Sequence, residues 1–264
     1  MSIGLRGTMR CPCFQRGLVL SSSTMTSSVP PWDFLVILAV LGIVVPWRGM
    51  VRVRELLARP SVDSAERIAM YASTIAFQWA AASFTAWRCY VRGFNAPQLG
   101  LSLGRPVMTI LIGGALALAL AFIQLKSLRR TAHTSKEQSS FAYQMARKLM
   151  PQTFVEVLPF IALVCTVSLC EEFLFRGFAF AVIERAGGGV TAGILGSAVL
   201  FGIAHLYQGR NGVVATSFLG LIFALIRVYT QSLAPAILVH FVVDLMAGLM
   251  SPRILLQKAA VEHG

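Results

Sequence analysis

Chemistry is sought first where ionisable side chains interrupt apolar stretches, because a charge inside a membrane helix is costly unless it has a partner or a task. Four places stand out. Glu171-Glu172-Phe173-Leu174-Phe175-Arg176-Gly177 follows the apolar run from Val157 to Cys170. Glu172 and Arg176 are four apart, neighbours on one helical face and a natural ion pair, whereas Glu171 points about 100° away and is left free. Phe201-Gly202-Ile203-Ala204-His205 ends a second segment on a lone histidine, which by itself reads more readily as an interfacial or hydrogen-bonded structural group. His240-Phe241-Val242-Val243-Asp244 sets two polar groups one turn apart in a third segment, where the bland reading is a His and an Asp that satisfy each other. The fourth place, Arg227, reads as a snorkelling anchor. Taken together, Glu171, His205, His240 and Asp244 on three different helices supply the groups needed to activate a water and stabilise an oxyanion.

The elements that carry these groups follow from composition. The chain has 264 residues, 56% hydrophobic and 13% charged, with a mean hydropathy of +0.71. A soluble globular domain carries about 25% charged residues, so a water-soluble enzyme is excluded. The expected fold is all-α, a polytopic membrane helical bundle of about seven transmembrane helices, each near the 20 residues that cross a bilayer. Ile68 to Trp87 and Pro106 to Leu125 are uncharged and bracketed by basic residues. Phe34 to Trp47 is shorter, with Trp32 and Trp47 as interfacial anchors and Pro31 at a helix start. Phe154 to about Val182, Val190 to Leu206, Gly212 to Ile226 and Leu233 to Met250 complete the set, punctuated by Gly187, Gly188, Gly189, Gly209, Gly212 and Pro235. Phe141, Met145 and Leu149 form a stripe with Arg147 and Lys148 off it, an amphipathic helix lying in the interface. Small residues at Gly113/Ala117/Ala121 and Ala198/Gly202 suit close helix packing.

Residues 1–29 read as a disordered leader, too weakly apolar for a signal peptide, with Met25 an alternative start. Residues 30–252 read as one transmembrane domain whose motif core is 154–250, and 253–264 as a short tail. The net charge of +12 comes largely from cations between apolar runs, which fits anionic lipid and excludes nucleic acid as the partner. Five cysteines are scattered without the spacing of a disulfide framework or zinc finger. With seven spans, Arg48, Arg52, Arg54, Arg59, Arg67, Lys126, Arg129, Arg130, Lys136, Arg147 and Lys148 fall on one side, which the positive-inside rule makes cytoplasmic. Glu171, at the far end of its helix, then lies toward the opposite face.

The order Glu-Glu-x-x-x-Arg, Phe-x-x-x-His, His-x-x-x-Asp on successive segments resembles the CPBP family of intramembrane proteases, also called the Abi or type II CAAX prenyl endopeptidase family. The motifs run from Glu171 to Asp244, and the membrane core from about Phe154 to Met250 fits as well. The resemblance implies a helical membrane domain with a cavity entered by a peptide or prenyl-protein substrate, in an integral protein of the cell membrane. It makes Glu171 and His205 the pair that holds and deprotonates water. It puts His240 and Asp244 where the oxyanion forms, and leaves Glu172 and Arg176 as structural support. The prenyl-protein-cleaving members carry Asn where this chain has Asp244. An ionised Asp cannot donate to an oxyanion. It orients His240 instead, or completes a zinc site with Glu171, His205 and His240. A glutamate mechanism and a metal mechanism both stay open, as do a catalytically silent binding or immunity protein of the same fold and a proton-coupled transporter. No inverted repeat favours the transporter.

Overall fold

A computed structural model describes residues 30–132 and 141–256. The leader before residue 30 and the tail after residue 256 lie outside the described residues. Eight helices are numbered here in chain order: α1 (Trp32–Ala58), α2 (Ser64–Val91), α3 (Pro106–Thr131), α4 (Phe141–Lys148), α5 (Phe154–Glu171, continued by Glu172–Ala179, Phe180–Ile183 and Glu184–Gly188), α6 (Gly189–Ala204), α7 (Gly209–Thr230) and α8 (Ala234–Ser251). Apart from α4 these are the seven long helices that the composition demands, and there is no strand among the described residues.

Among the described residues five stretches are long and apolar enough to cross a membrane, with Phe154–Ala204 counted as one. That stretch is two helices, because Gly187 takes φ 96°, a conformation that glycine adopts at little cost, and turns α5 back into α6. The remaining long helix, α2, carries Ser73, Thr74, Gln78 and Ser83 in its middle and is not counted with the apolar stretches. Those polar residues mark a helix that lines a site rather than facing lipid alone. The chain is an integral membrane protein.

α1 is longer than its uncharged run. The helix continues through Arg48, Arg52 and Arg54 to Ala58, and a π-helical turn at Val40–Val44 precedes Pro46. Proline at 46 cannot donate to the carbonyl four residues back, and a wider turn just before it absorbs that loss without ending the helix. α2 starts sharply on a capping box, with the Asp63 carboxylate accepting from the Glu66 amide at 2.8 Å and the Glu66 carboxylate accepting from the Asp63 amide at 3.2 Å.

Two ion-pair sets fix the first helices. Asp33, buried at the start of α1, accepts from Arg88 and Arg92 at the end of α2. At the opposite end Arg67 donates to Glu156 at 2.7 Å, with both side chains buried, and to the Lys148 carbonyl at 3.2 Å. Lys148 departs from the expected amphipathic pattern. Its ammonium turns inward and donates to the carbonyls of Leu57 and Arg59, both at 2.6 Å, where the last carbonyls of α1 have no helical partner. Burial, with Arg147 beside it, holds this ammonium below the ordinary lysine range. The loop after α1 and the approach to α5 are thereby joined, which brings Arg59 and Arg67 beside Arg147 and Lys148.

Arg227 is likewise no snorkelling anchor. Its guanidinium folds back to donate to the Gln98 carbonyl at 2.6 Å and stacks 3.8 Å over the Phe180 ring. Small residues do bring helices together. A Cβ on Gly220 of α7 would stand 3.2 Å from the Ala198 backbone of α6, and one on Gly113 of α3 would stand 3.2 Å from Pro235 of α8. Ala117, Phe223, Ala236 and Val239 form the packed centre between α3, α7 and α8, while Phe34, Leu41, Ala82, Phe173 and Phe178 join α1, α2 and α5. Beyond α8, Pro252–Leu256 is helical, and Leu255 is buried in one cluster with Ala146 of α4.

Candidate active site

The site begins where α5 changes pitch. Glu171 is the last α-helical residue and Glu172 the first of an eight-residue π-helical stretch, so the two carboxylates leave the helix in different directions. Glu172 and Arg176 have no exposed surface and pair at 3.0 Å, as their spacing predicts. The same Glu172 oxygen also meets His240 Nδ1 at 2.9 Å, which spacing along one helix could not reveal. Glu172 is therefore more than a partner for Arg176, because it ties α5 to α8 through the histidine. The Arg176 guanidinium is sandwiched over Phe201 at 3.9 Å and near Phe223 at 5.3 Å, bringing α6 and α7 onto the same anchor.

Glu171 takes a different partner. Its Oε1 accepts from Gln78 Nε2 of α2 at 2.9 Å, while its Oε2 is buried with no hydrogen-bond partner. A buried carboxylate oxygen without a donor is poised to accept one from a ligand or water. His205 follows the last residue of α6, and its Nδ1 lies 2.8 Å from the Phe201 carbonyl. A carbonyl only accepts, so Nδ1 carries the hydrogen and the lone pair of the neutral ring is on Nε2. Tyr207, two residues on, packs its ring 5.7 Å from that of His205, and its hydroxyl accepts from Gln208 Nε2 at 3.2 Å. The tyrosine hydrogen remains available to donate.

His240 stands between two carboxylates. Nδ1 donates to Glu172, and Nε2 is 3.5 Å from Asp244 Oδ2, one turn along α8. Both atoms of that second pair are acceptors unless a proton lies between them, so a doubly protonated ring satisfies both sides. Asp244 is more open than His240, with its side chain 39% exposed against 8%.

All four sequence-identified residues, Glu171, His205, His240 and Asp244, line one cavity of about 380 Å³, together with Gln78 and Tyr207. Its walls include Phe141 and Met145 of α4. A second cavity, of about 310 Å³, shares Thr74, Gln78, Glu171, His205 and Tyr207 with the first and extends along α1. Glu171 is thus midway along a helix that runs on to Gly188, not at the end of its span. Residues of α4 line the first cavity, and Arg48 and Arg52 of α1 line the second.

Zinc would need at least three protein donors around one point. Among the described residues no three His, Cys, Asp or Glu side chains are grouped to hold an ion, so Glu171, His205, His240 and Asp244 do not fit as its ligands and no step below is routed through a metal.

Gln78 and Tyr207 went unread in the sequence. An uncharged amide in mid-span is a weak signal beside a carboxylate, though an intramembrane Gln does call for a partner.

Residues 153–246 match the family model described as Type II CAAX prenyl endopeptidase Rce1-like. This segment is a CPBP-family domain. The match contains every motif residue from Glu171 to Asp244 and ends before the close of α8, while α1 to α4 lie outside it. No curated protein and no solved structure gives a significant match to the chain. The CPBP domain therefore supplies Glu171, Glu172, Arg176, His205, His240 and Asp244, and α2, from outside the matched segment, adds Gln78.

Proposed function

We propose that the protein is an intramembrane endopeptidase of the CPBP type, hydrolysing a peptide bond of a membrane-associated, prenylated or otherwise lipophilic peptide with a water held by Glu171 and His205. The observation that carries this is the arrangement of Glu171: one oxygen fixed by Gln78, the other buried and unpartnered, in a cavity shared with the free Nε2 face of His205. In this reading Glu171 takes a proton from the water as it attacks the scissile carbonyl, and His205 Nε2 holds that water. The Tyr207 hydroxyl donates to the developing oxyanion, and His240, kept doubly protonated with its two N–H groups on Glu172 and Asp244, contributes its positive charge. The proton returns through Glu171 to the leaving amine. Glu172 and Arg176 act by fixing His240 and the helix junction. With the basic face cytoplasmic, the substrate enters from that side.

The test is purified protein in detergent with a fluorogenic farnesylated peptide library. The proposal expects cleavage of a single peptide bond. Absence of any cleavage above that of a Glu171→Gln preparation would contradict it.

Gln78 is a positioning residue in this scheme. Gln78→Leu removes the donor to Glu171 and is expected to lower kcat about tenfold, in line with the loss of one hydrogen bond to a charged group, with KM little changed. A kinetic comparison of the two proteins in the same detergent checks this, and recovery in Gln78→Asn or Gln78→His would separate positioning from packing.

Asp244→Asn is expected to keep activity within about tenfold, because the amide loses a charge beside His240 but brings an N–H toward the oxyanion. Turnover with and without 1,10-phenanthroline, beside metal analysis of the wild type, is the measurement. A dead variant, together with bound metal whose removal abolishes turnover, would contradict the scheme.

A further inference from the structure

α4 ends at Lys148, before the matched segment begins at residue 153, yet its side chains enter the wall of the cavity that holds Glu171. Phe141 and Met145 are four apart on one helical face, and both line that cavity. The other face is packed away, with Tyr143 and Ala146 buried in one cluster with Ala132 and Leu255. The last turn is fastened as well. The Lys148 ammonium holds the Leu57 and Arg59 carbonyls, Arg147 Nη2 donates to the Pro60 carbonyl at 2.8 Å, and Gln152 Nε2 donates to the Ala146 carbonyl at 2.6 Å. A helix held at so many points presents Phe141 and Met145 at fixed places. The Phe141 ring lies 6.4 Å, centre to centre, from that of Tyr207, within the contact range of aromatic rings.

We infer that Phe141 and Met145 select the side chain that the substrate carries on the amino side of the scissile bond, admitting small or unbranched apolar groups and rejecting bulky aromatic ones. This rests on the endopeptidase reading above, which puts the Tyr207 hydroxyl at the oxyanion. The carbon that bears the oxyanion is bonded to the α-carbon of the residue before the cut, so that residue's side chain must lie close to Tyr207 and therefore beside Phe141. The cavity wall also includes Met70, Leu163 and Val167, all apolar. At about 380 Å³ the cavity is near the lower end for ligand sites, so the Phe141 ring takes up room that a large substrate side chain would need. Met145, unbranched and flexible, can fit itself around a slender one. Selection of this kind is a difference in fit between substrates, set here by a helix outside the matched segment.

The experiment gives the full-length protein in detergent three farnesylated fluorogenic peptides that differ only in carrying Ala, Met or Trp before the bond that the library screen shows to be cut. The wild type is expected to cleave the Ala and Met peptides with a kcat/KM at least about tenfold above that for Trp, a ratio within the reach of one pocket. Phe141→Ala should erase the ratio by raising cleavage of the Trp peptide, and Met145→Phe should lower cleavage after Met more than after Ala. Phe141→Leu keeps apolar packing on α4 and should give an intermediate ratio, which covers misfolding of the alanine variant. A residue that only held the fold would scale all three peptides alike. Unchanged ratios in the Phe141 variants would overturn the inference, as would equal falls in Met145→Phe or a wild type that prefers Trp. Anisotropy of the same peptides, fluorescein-labelled, on Glu171→Gln reads binding without turnover. The Trp peptide should bind more weakly than the Ala peptide there, and adding Phe141→Ala should remove the difference. If the wild type cuts nothing while that dependence on Phe141 holds, the endopeptidase reading falls and the side-chain pocket stands. If binding ignores Phe141, the inference itself falls.

Discussion

Glu172→Gln is expected to destabilise the folded protein by about 3–5 kcal/mol, the range for breaking a fully buried ion pair by removing one partner. The neutral amide leaves Arg176, which has no exposed surface, without its carboxylate at 3.0 Å, and it weakens the acceptor for His240 Nδ1 at 2.9 Å. Because Arg176 also stacks on Phe201 and Phe223, the loss is felt where α5, α6, α7 and α8 meet. Thermal unfolding of both proteins in the same detergent measures it. Wild-type stability in the variant would show that Arg176 is neutralised elsewhere.

Glu171→Gln is expected to do the opposite. The amide keeps the shape of the side chain and can still meet Gln78, so the fold should hold within about 1 kcal/mol, the level of one ordinary hydrogen bond. It cannot accept a proton from water, and turnover should fall by about 10²–10⁴-fold, the usual contribution of general base catalysis. The adjacent glutamates thus separate by phenotype. In the proposed scheme one serves stability and the other the reaction, and α5 changes from α to π pitch between them, with one carboxylate on Arg176 and the other lining the cavity.

Much of this arrangement was legible in the sequence for a physical reason. Charge inside apolar segments is rare enough that Glu171, Glu172, Arg176, His205, His240 and Asp244 identify themselves. The bilayer fixes helix length, so most spans could be measured directly. What was hidden depends on neutral groups and on backbone. Gln78 is uncharged, and nothing in α2 alone announces that it meets Glu171 from 93 positions away. Lys148 and Arg227 were placed in solvent or headgroups because their partners are main-chain carbonyls of Leu57, Arg59 and Gln98, which carry no sequence signature. α1 outruns its uncharged segment, because Arg48 and Arg52, whose charge suggests a loop, are helical and line a cavity. The bond between Glu172 and His240 spans two helices and 68 positions, and only the folded chain discloses it.

The central claim is that Glu171 delivers a water to a peptide bond. Mass spectrometry of the products formed in H₂¹⁸O by wild type and Glu171→Gln, purified side by side and given the same farnesylated peptide, tests it most directly. The account predicts one ¹⁸O in the new C-terminal carboxylate of the wild-type product and a yield from the variant lower by about 10²–10⁴-fold at equal fold stability. Equal yields from the two proteins, or no hydrolysis by a wild type that binds the peptide, would contradict it.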